Sequence, residues 1–154
     1  LKPMTTEKSY VFVAFDREEE GLKGSKEMVK KMSEADRTGV CSMVNFDSFG
    51  LGYPMALQNA SSSKMVNFAK DLAKESKLSF TAVTIEGASS DSASFIDKKI
   101  PAITLSGLNA NWQSVLHSSN DNLEKINHDS VYIGYRFGLY YLSKIDAAAC
   151  RQFS

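Results

Sequence analysis

The chemistry-bearing residues of this sequence are concentrated in one stretch, Asp16-Arg17-Glu18-Glu19-Glu20, which follows the apolar run Tyr10-Val11-Phe12-Val13-Ala14-Phe15 and leads into Gly21-Leu22-Lys23-Gly24-Ser25. Like charges this close raise one another's pKa, whereas a cation would hold one carboxylate as a ligand and leave its neighbour free to move protons. The apolar run reads as a fully buried strand, and Gly21, Gly24 and Ser25 read as a tight turn and helix N-cap. The acids then sit at the C-terminal rim of a central strand, where open α/β sheets place ligands. The plainer alternative is a solvated acidic loop ahead of a helix whose dipole tolerates negative charge.

Further polar groups close other apolar runs. Val44-Asn45-Phe46-Asp47-Ser48-Phe49-Gly50 ends on an Asp that is either an Asx-turn or a ligand. Ser90-Asp91-Ser92-Ala93-Ser94-Phe95 opens a helical pattern, and His117-Ser118-Ser119-Asn120-Asp121-Asn122-Leu123 follows the apolar residues 112–116. A lone His is more often a surface group than a ligand, and His128 reads as a surface residue at the start of the last helix.

Taken in order, these phrases resemble the FxxEExGLxGS, NxDxxG, SDHxxF and HTxxDxL segments of the zinc-dependent aminopeptidases with two co-catalytic metals, whose relatives include carboxypeptidase-like and glutaminyl-cyclase-like proteins. The resemblance extends from Tyr10 to Lys144. It implies that Glu18 is the general base acting on water, that Glu19 and His117 hold one Zn²⁺, and that Asp47 serves the second. Asp121 is implied to orient the His117 turn, and Asp91 to support the pocket and the start of a helix. Phe49 and Trp112 are candidate apolar contacts for substrate, although core packing would explain both. Glu20 falls at a variable position and reads as a surface carboxylate. Ser92 stands where the family has His, which removes an expected hydrogen-bonding group from that wall.

A second departure is larger. The family completes its two-zinc site with an HxD segment and a bridging Asp, both upstream of the first strand, yet residues 1–9 contain neither His nor Asp. The expectation is a C-terminal part of the catalytic domain whose first strands and helix are missing, binding at most one zinc, weakly, by itself. An upstream segment or self-association would cover the exposed sheet edge. The implied activity is hydrolysis of N-terminal peptide bonds in a peptide substrate. The alternatives are a non-catalytic binding or scaffold domain that keeps the fold, or a carboxypeptidase-like or glutaminyl-cyclase-like relative.

The elements that must position these residues alternate. Strands are expected at 10–15, 41–46, 54–58, 80–85 and 102–105, and helices at 25–33, 62–76, 91–98 and 130–145. This is an α/β pattern with a largely parallel central sheet covered by helices, in a single domain over 1–154. Gly134 and Gly138, one turn apart, permit close packing of the last helix. With 154 residues, 43% of them hydrophobic, the chain can bury one ordinary core. A formal net charge of zero gives no electrostatic footprint for nucleic acid, and no apolar run reaches the ~20 residues of a membrane span. A chain opening on Leu1 leaves its compartment open, with secretion or a periplasmic location among the options and any signal lying upstream. Cys41 reads as a small buried apolar residue and Cys150 as part of a small-residue tail; their spacing does not demand a disulfide.

Overall fold

The computed structural model describes residues 5–154; the first four positions, Leu1 included, lie outside the described residues. Its elements, in order, are α1 (Lys23–Lys31), α2 (Glu34–Gly39), β1 (Met43–Phe46), β2 (Met55–Leu57), α3 (Ser63–Glu75), β3 (Thr81–Val83), α4 (Ser92–Ile96), β4 (Ala102–Ser106) and α5 (His128–Ala147). The four strands form one sheet in the order β1-β4-β2-β3. β1 runs parallel to β4 and β2 parallel to β3, while β2 and β4 are antiparallel, so the α/β expectation holds with a mixed sheet.

Every residue of β4 is buried, and its alternation divides the core. Ile103 and Leu105 face a large cluster with Met65, Ala69 and Leu72 of α3 and Phe137, Tyr141 and Ile145 of α5. Ala102 faces the other side, with Val29 of α1 and Phe95 of α4. The helices therefore cover both faces. Gly134 and Gly138 let α5 approach as expected: a Cβ at Gly134 would lie 2.4 Å from the Phe49 ring, and one at Gly138 would lie 2.5 Å from Phe46.

The sequence reading is corrected at several points. Residues 10–15 form no strand and pair with none among the described residues, and Val11 and Phe12 are 80% and 89% exposed. The apolar run has the composition of a buried strand, but burial needs neighbours on both sides. β1, at the sheet edge, forms its ladder only with β4. The segment is held at its ends instead, by the Phe15 ring against Phe95 and by the Tyr10 hydroxyl donating to the Leu142 carbonyl. α2 was not expected, although a reciprocal capping box between Ser33 and Asp36 starts it.

Ser25 is not the N-cap of α1. That position belongs to Leu22, and Ser25 is buried inside the helix, sharing a 2.8 Å hydrogen bond with Ser94 of α4. Gly24 is required by space, because a Cβ there would lie 2.5 Å from the Asp16 carbonyl oxygen.

Cys41 and Cys150 form a disulfide across a sequence separation of 109. Sequence spacing carries no information on this, because the fold alone brings the start of β1 to the C-terminal turn. That turn, Cys150–Gln152, leads to Phe153, which packs edge-on against Phe68 of α3. Cross-linking so long a loop restricts the unfolded chain, so reduction or a Cys41→Ala/Cys150→Ala pair should lower unfolding stability by about 3 kcal/mol. Guanidinium melts with and without reductant test this; coincident midpoints would show that the bond adds nothing.

Candidate functional site

At the C-terminal ends of β1 and β4 a cleft of about 500 Å³ opens. Thr104 and Ser106 of β4 form part of its floor, and Glu18, Glu19, Asp47, Trp112 and His117 line it. Residues far apart in sequence are thus gathered in one place.

The acidic stretch forms the turn into α1. Gly21 and Leu22 both donate their backbone N–H to the Glu18 carbonyl, which fixes the turn and leaves the carboxylates free. Glu20 points away, within 2.6 Å of both Arg17 and Lys23. Those partners, Arg17 first, hold its carboxyl below the usual range. It is the surface residue expected.

Glu19 meets His117. The imidazole Nε2 lies 2.9 Å from Glu19 Oε1, a distance at which an imidazole N–H donates to a carboxylate. The two side chains are 72% and 65% exposed, and a pair so solvated contributes only about 0–1 kcal/mol to stability. Stability does not explain their convergence. Glu18, beside them, is partly buried, and burial pushes its carboxyl above the usual range, followed by the charges of Asp47, Glu19 and Asp91; His117 opposes the rise.

Asp47 follows β1 and is oriented from both sides. The Ser90 hydroxyl donates to Oδ2 at 2.7 Å and the Ser48 hydroxyl to Oδ1 at 3.0 Å. Behind Ser90, Asn45 Nδ2 donates to its Oγ at 2.7 Å and reaches Thr104 Oγ1 at 3.3 Å. Ser92 donates to the Ala60 carbonyl and shares a hydrogen bond with Thr104, so the residue replacing the family's His braces α4 against β4. Sequence reasoning quoted Asn45 and Ser90 inside the motifs but gave them no role; alternation along β1, which puts Asn45 and Asp47 on one face, was the available signal.

Backbone geometry marks the same rim. Among the described residues six non-glycine positions adopt positive φ, and four of them, Arg17, Leu22, Ser48 and His117, lie at or beside the cleft. Left-handed conformations in such residues cost about 1 kcal/mol each and cluster where function over-determines the chain.

Other expectations fare differently. Phe49 is not in the cleft: it packs on the core, with its ring against Gly134 and about 6.2 Å from that of Phe46. Asp121 joins the His117 loop through its backbone N–H, which donates to the Ser118 carbonyl, while its side chain makes no hydrogen bond among the described residues. Asp91 occupies the N-cap position of α4 without a side-chain cap bond. It is buried, and its Oδ1 has no hydrogen-bond partner among the described residues.

As for a metal, zinc suits mixed imidazole and carboxylate donors, and Glu19 with His117 supplies two. Asp47 lines the same cleft, but among the described residues no three His, Cys, Asp or Glu side chains are grouped closely enough to hold an ion. The described residues fit part of a zinc centre and fall short of a complete one.

The profile of peptidase family M28 matches residues 2–134. The chain belongs to peptidase family M28. Its fold is that of solved members of the aminopeptidase group. LapA of Legionella pneumophila superposes with a TM-score of 0.74 at 18% identity, over 86% of this chain and 39% of that one. BSAP, a zinc aminopeptidase from Bacillus subtilis, gives 0.68 at 19% identity, over 91% and 37%. An aminopeptidase from Aneurinibacillus sp. strain AM-1 gives 0.62 at 21% identity, over 84% and 32%. The M28 chain here therefore spans less than two-fifths of the length of these structures. No curated protein sequence matches it significantly.

The buried Asp91 carboxyl generates a prediction. Burial pushes its pKa above the ordinary 3.8, a contact from Ser25 works the other way, and the charge of Asp47 adds to the rise. Well below pH 3.8 the group is protonated in both states and carries no penalty. As pH rises from there through the folded pKa, the unfolded state loses its proton first and stability falls, then levels. Asp91→Asn should remove this group's share of that decline, making the variant more stable relative to the wild type at pH 7 than at pH 3. Calorimetric melting across pH 3 to 7 checks it, and an unchanged profile would refute the burial argument.

Proposed function

We propose that this chain supplies the general base and part of the metal shell of a zinc-dependent exopeptidase that removes N-terminal residues from peptides. The observation that carries the reading is the meeting of Glu19 with His117 beside Glu18 in one cleft. Membership of family M28 and a fold shared with structures named as aminopeptidases, one of them a zinc enzyme, support it.

Zinc, when bound by Glu19 and His117, supplies Lewis-acid activation of the scissile carbonyl and of water. Glu18 takes the proton from the attacking water and returns it to the departing amine. Its surroundings favour that work, since burial and three neighbouring carboxylates make it a better base than a solvated Glu. Asp47, held by Ser90 and Ser48, is the donor for a second zinc. The donors still needed come from an upstream segment or from a second copy, and the exposed Val11 and Phe12 mark apolar surface such a partner would cover. The disulfide supports an oxidising compartment.

One observation favours a second reading, a binding or scaffold domain without turnover: no complete metal-holding group exists among the described residues.

The two readings separate in solution. Calorimetric titration of the chain should show at most one weakly bound zinc, lost in His117→Ala, with negligible release of chromophore from a leucine anilide. Two tightly bound ions with robust turnover would show that the donor set is misassigned. In any longer form that turns over, Glu18→Gln should keep zinc content and lower kcat by roughly 10²- to 10⁴-fold. Near-normal turnover in that variant would remove Glu18 from the mechanism.

A further inference from the structure

The segment from Ser9 to Phe15 is held at both ends and paired along none of its length. At one end the two carboxylate oxygens of Asp146, in the last turn of α5, accept the backbone N–H groups of Glu7 and Lys8 at 3.0 Å, and the Lys8 ammonium donates to the Asp146 and Ala148 carbonyls. At the other end the Phe15 ring lies against Phe95, and the Asp16 carbonyl accepts the Gly24 N–H at 3.0 Å. Between these anchors the chain makes no helix, turn or bend, and no backbone N–H or carbonyl of residues 9–15 has a hydrogen-bond partner among the described residues.

The composition is that of a paired strand. Ser9-Tyr10-Val11-Phe12-Val13-Ala14-Phe15 has no charge, no proline and no glycine, so it lacks the devices that keep exposed strand edges from joining other chains. Tyr10 to Val13 are exposed, and so are Tyr135 and Leu139 on α5, the helix that holds Tyr10. The whole chain exposes 9961 Å², against roughly 7,700 Å² for a folded monomer of 17.0 kDa. An excess of about 2,200 Å² is the area that one partner of an obligate dimer covers.

The flanking charges identify the partner. Glu7 and Lys8 precede the segment, and Asp16 and Arg17 follow it. When a second copy of the segment lies antiparallel with Phe12 opposite Phe12, Glu7 falls opposite Arg17 and Lys8 opposite Asp16, at both ends of the pair. A slip of one residue in either direction opposes like charges instead, Glu7 with Asp16 or Lys8 with Arg17, and parallel pairing in register opposes each charge with itself. We propose that residues 9–15 form a two-fold interface between two copies of this chain, each adding its segment antiparallel to the other's with Phe12 at the axis. The anchors on α5 and Phe95 order the segment beforehand, which lowers the entropy cost of pairing. Lys8 is already engaged on α5, whereas Arg17 shares the exposed Glu20 with Lys23 and changes partner at little cost, so Glu7 and Arg17 decide the register. The contact needs neither zinc nor turnover. Failure of the exopeptidase reading therefore appears in the zinc titrations and leaves the dimer intact.

Light scattering after size exclusion should give the wild-type chain twice 17.0 kDa, with or without zinc. Phe12→Lys, at a side chain 89% exposed in the single chain, should keep the circular dichroism spectrum and give 17.0 kDa. In sedimentation equilibrium Glu7→Lys and Arg17→Glu should each weaken association about tenfold, and the double variant, which exchanges the two charges, should regain it. A wild-type chain that stays monomeric at every concentration overturns the proposal and leaves the surface to an upstream polypeptide. It is equally overturned by a dimer indifferent to Phe12→Lys, which places the interface elsewhere, and by a mass that climbs past two chains, which replaces the closed pair with open stacking. Should Phe12→Lys fail to fold, the charge exchange still decides, because a double variant no tighter than the single ones refutes the pairing.

Discussion

The complete burial of β4 constrains everything around it. A strand with no solvent face must satisfy a different neighbour on each side, and this one does so by alternation, with Ile103 and Leu105 toward α3 and α5 and Ala102 toward α1 and α4. Its polar positions, Thr104 and Ser106, fall on the second face, where both line the cleft and Thr104 meets Ser92 of α4. Buried hydroxyls need partners. Thr104 finds Ser92 and Asn45, and the same requirement draws the Ser90 loop onto β1, where its hydroxyl holds Asp47. The orientation of a candidate ligand is therefore a by-product of solving a burial problem in the central strand.

Around that frame the chain spends stability. Glu18, Glu19, Asp47 and Glu86 line one cleft with no Lys or Arg among its described lining residues, four left-handed backbones lie at or beside it, and the buried Asp91 keeps an Oδ1 without a partner among the described residues. Each feature is unfavourable on its own. Their concentration at one end of the sheet, opposite a core that is well packed, is the pattern expected where local rules give way to chemistry.

Much of this was legible in residues. The apolar stripe of α3, the paired glycines of α5 and the short strands all follow from periodicity, and the order of the acidic, Asn-Asp, Ser-Asp and His phrases located the cleft residues before any geometry. What failed was non-local. Residues 10–15 have the composition of a strand, but composition does not supply a ladder partner. Phe49 and Trp112 looked alike as aromatics near motifs, yet one lies against Gly134 and the other in the cleft, a difference set by α5. Asn59 sits in an unremarkable stretch, and nothing local connects it with a loop 26 residues later. The cysteines belong to the same class: two ends of a long excursion that only the fold brings together.

That bond gives the polypeptide the topology of a lasso. Residues 41–150 form a covalent ring, and the segment before Cys41 is a free tail. Asp47, Glu86 and His117 belong to the ring, while Glu18 and Glu19 belong to the tail. The ring can assemble its sheet with much of its loop entropy already removed. The tail gains nothing from that, and is fastened by α1 against α4, by the Phe15 contact and by hydrogen bonds from Glu7, Lys8 and Tyr10 to the end of α5. Ring and tail must dock for the Glu19–His117 contact to exist, so the Glu18–Glu19 half of the cleft is the part of the molecule with the weakest covalent claim on the rest.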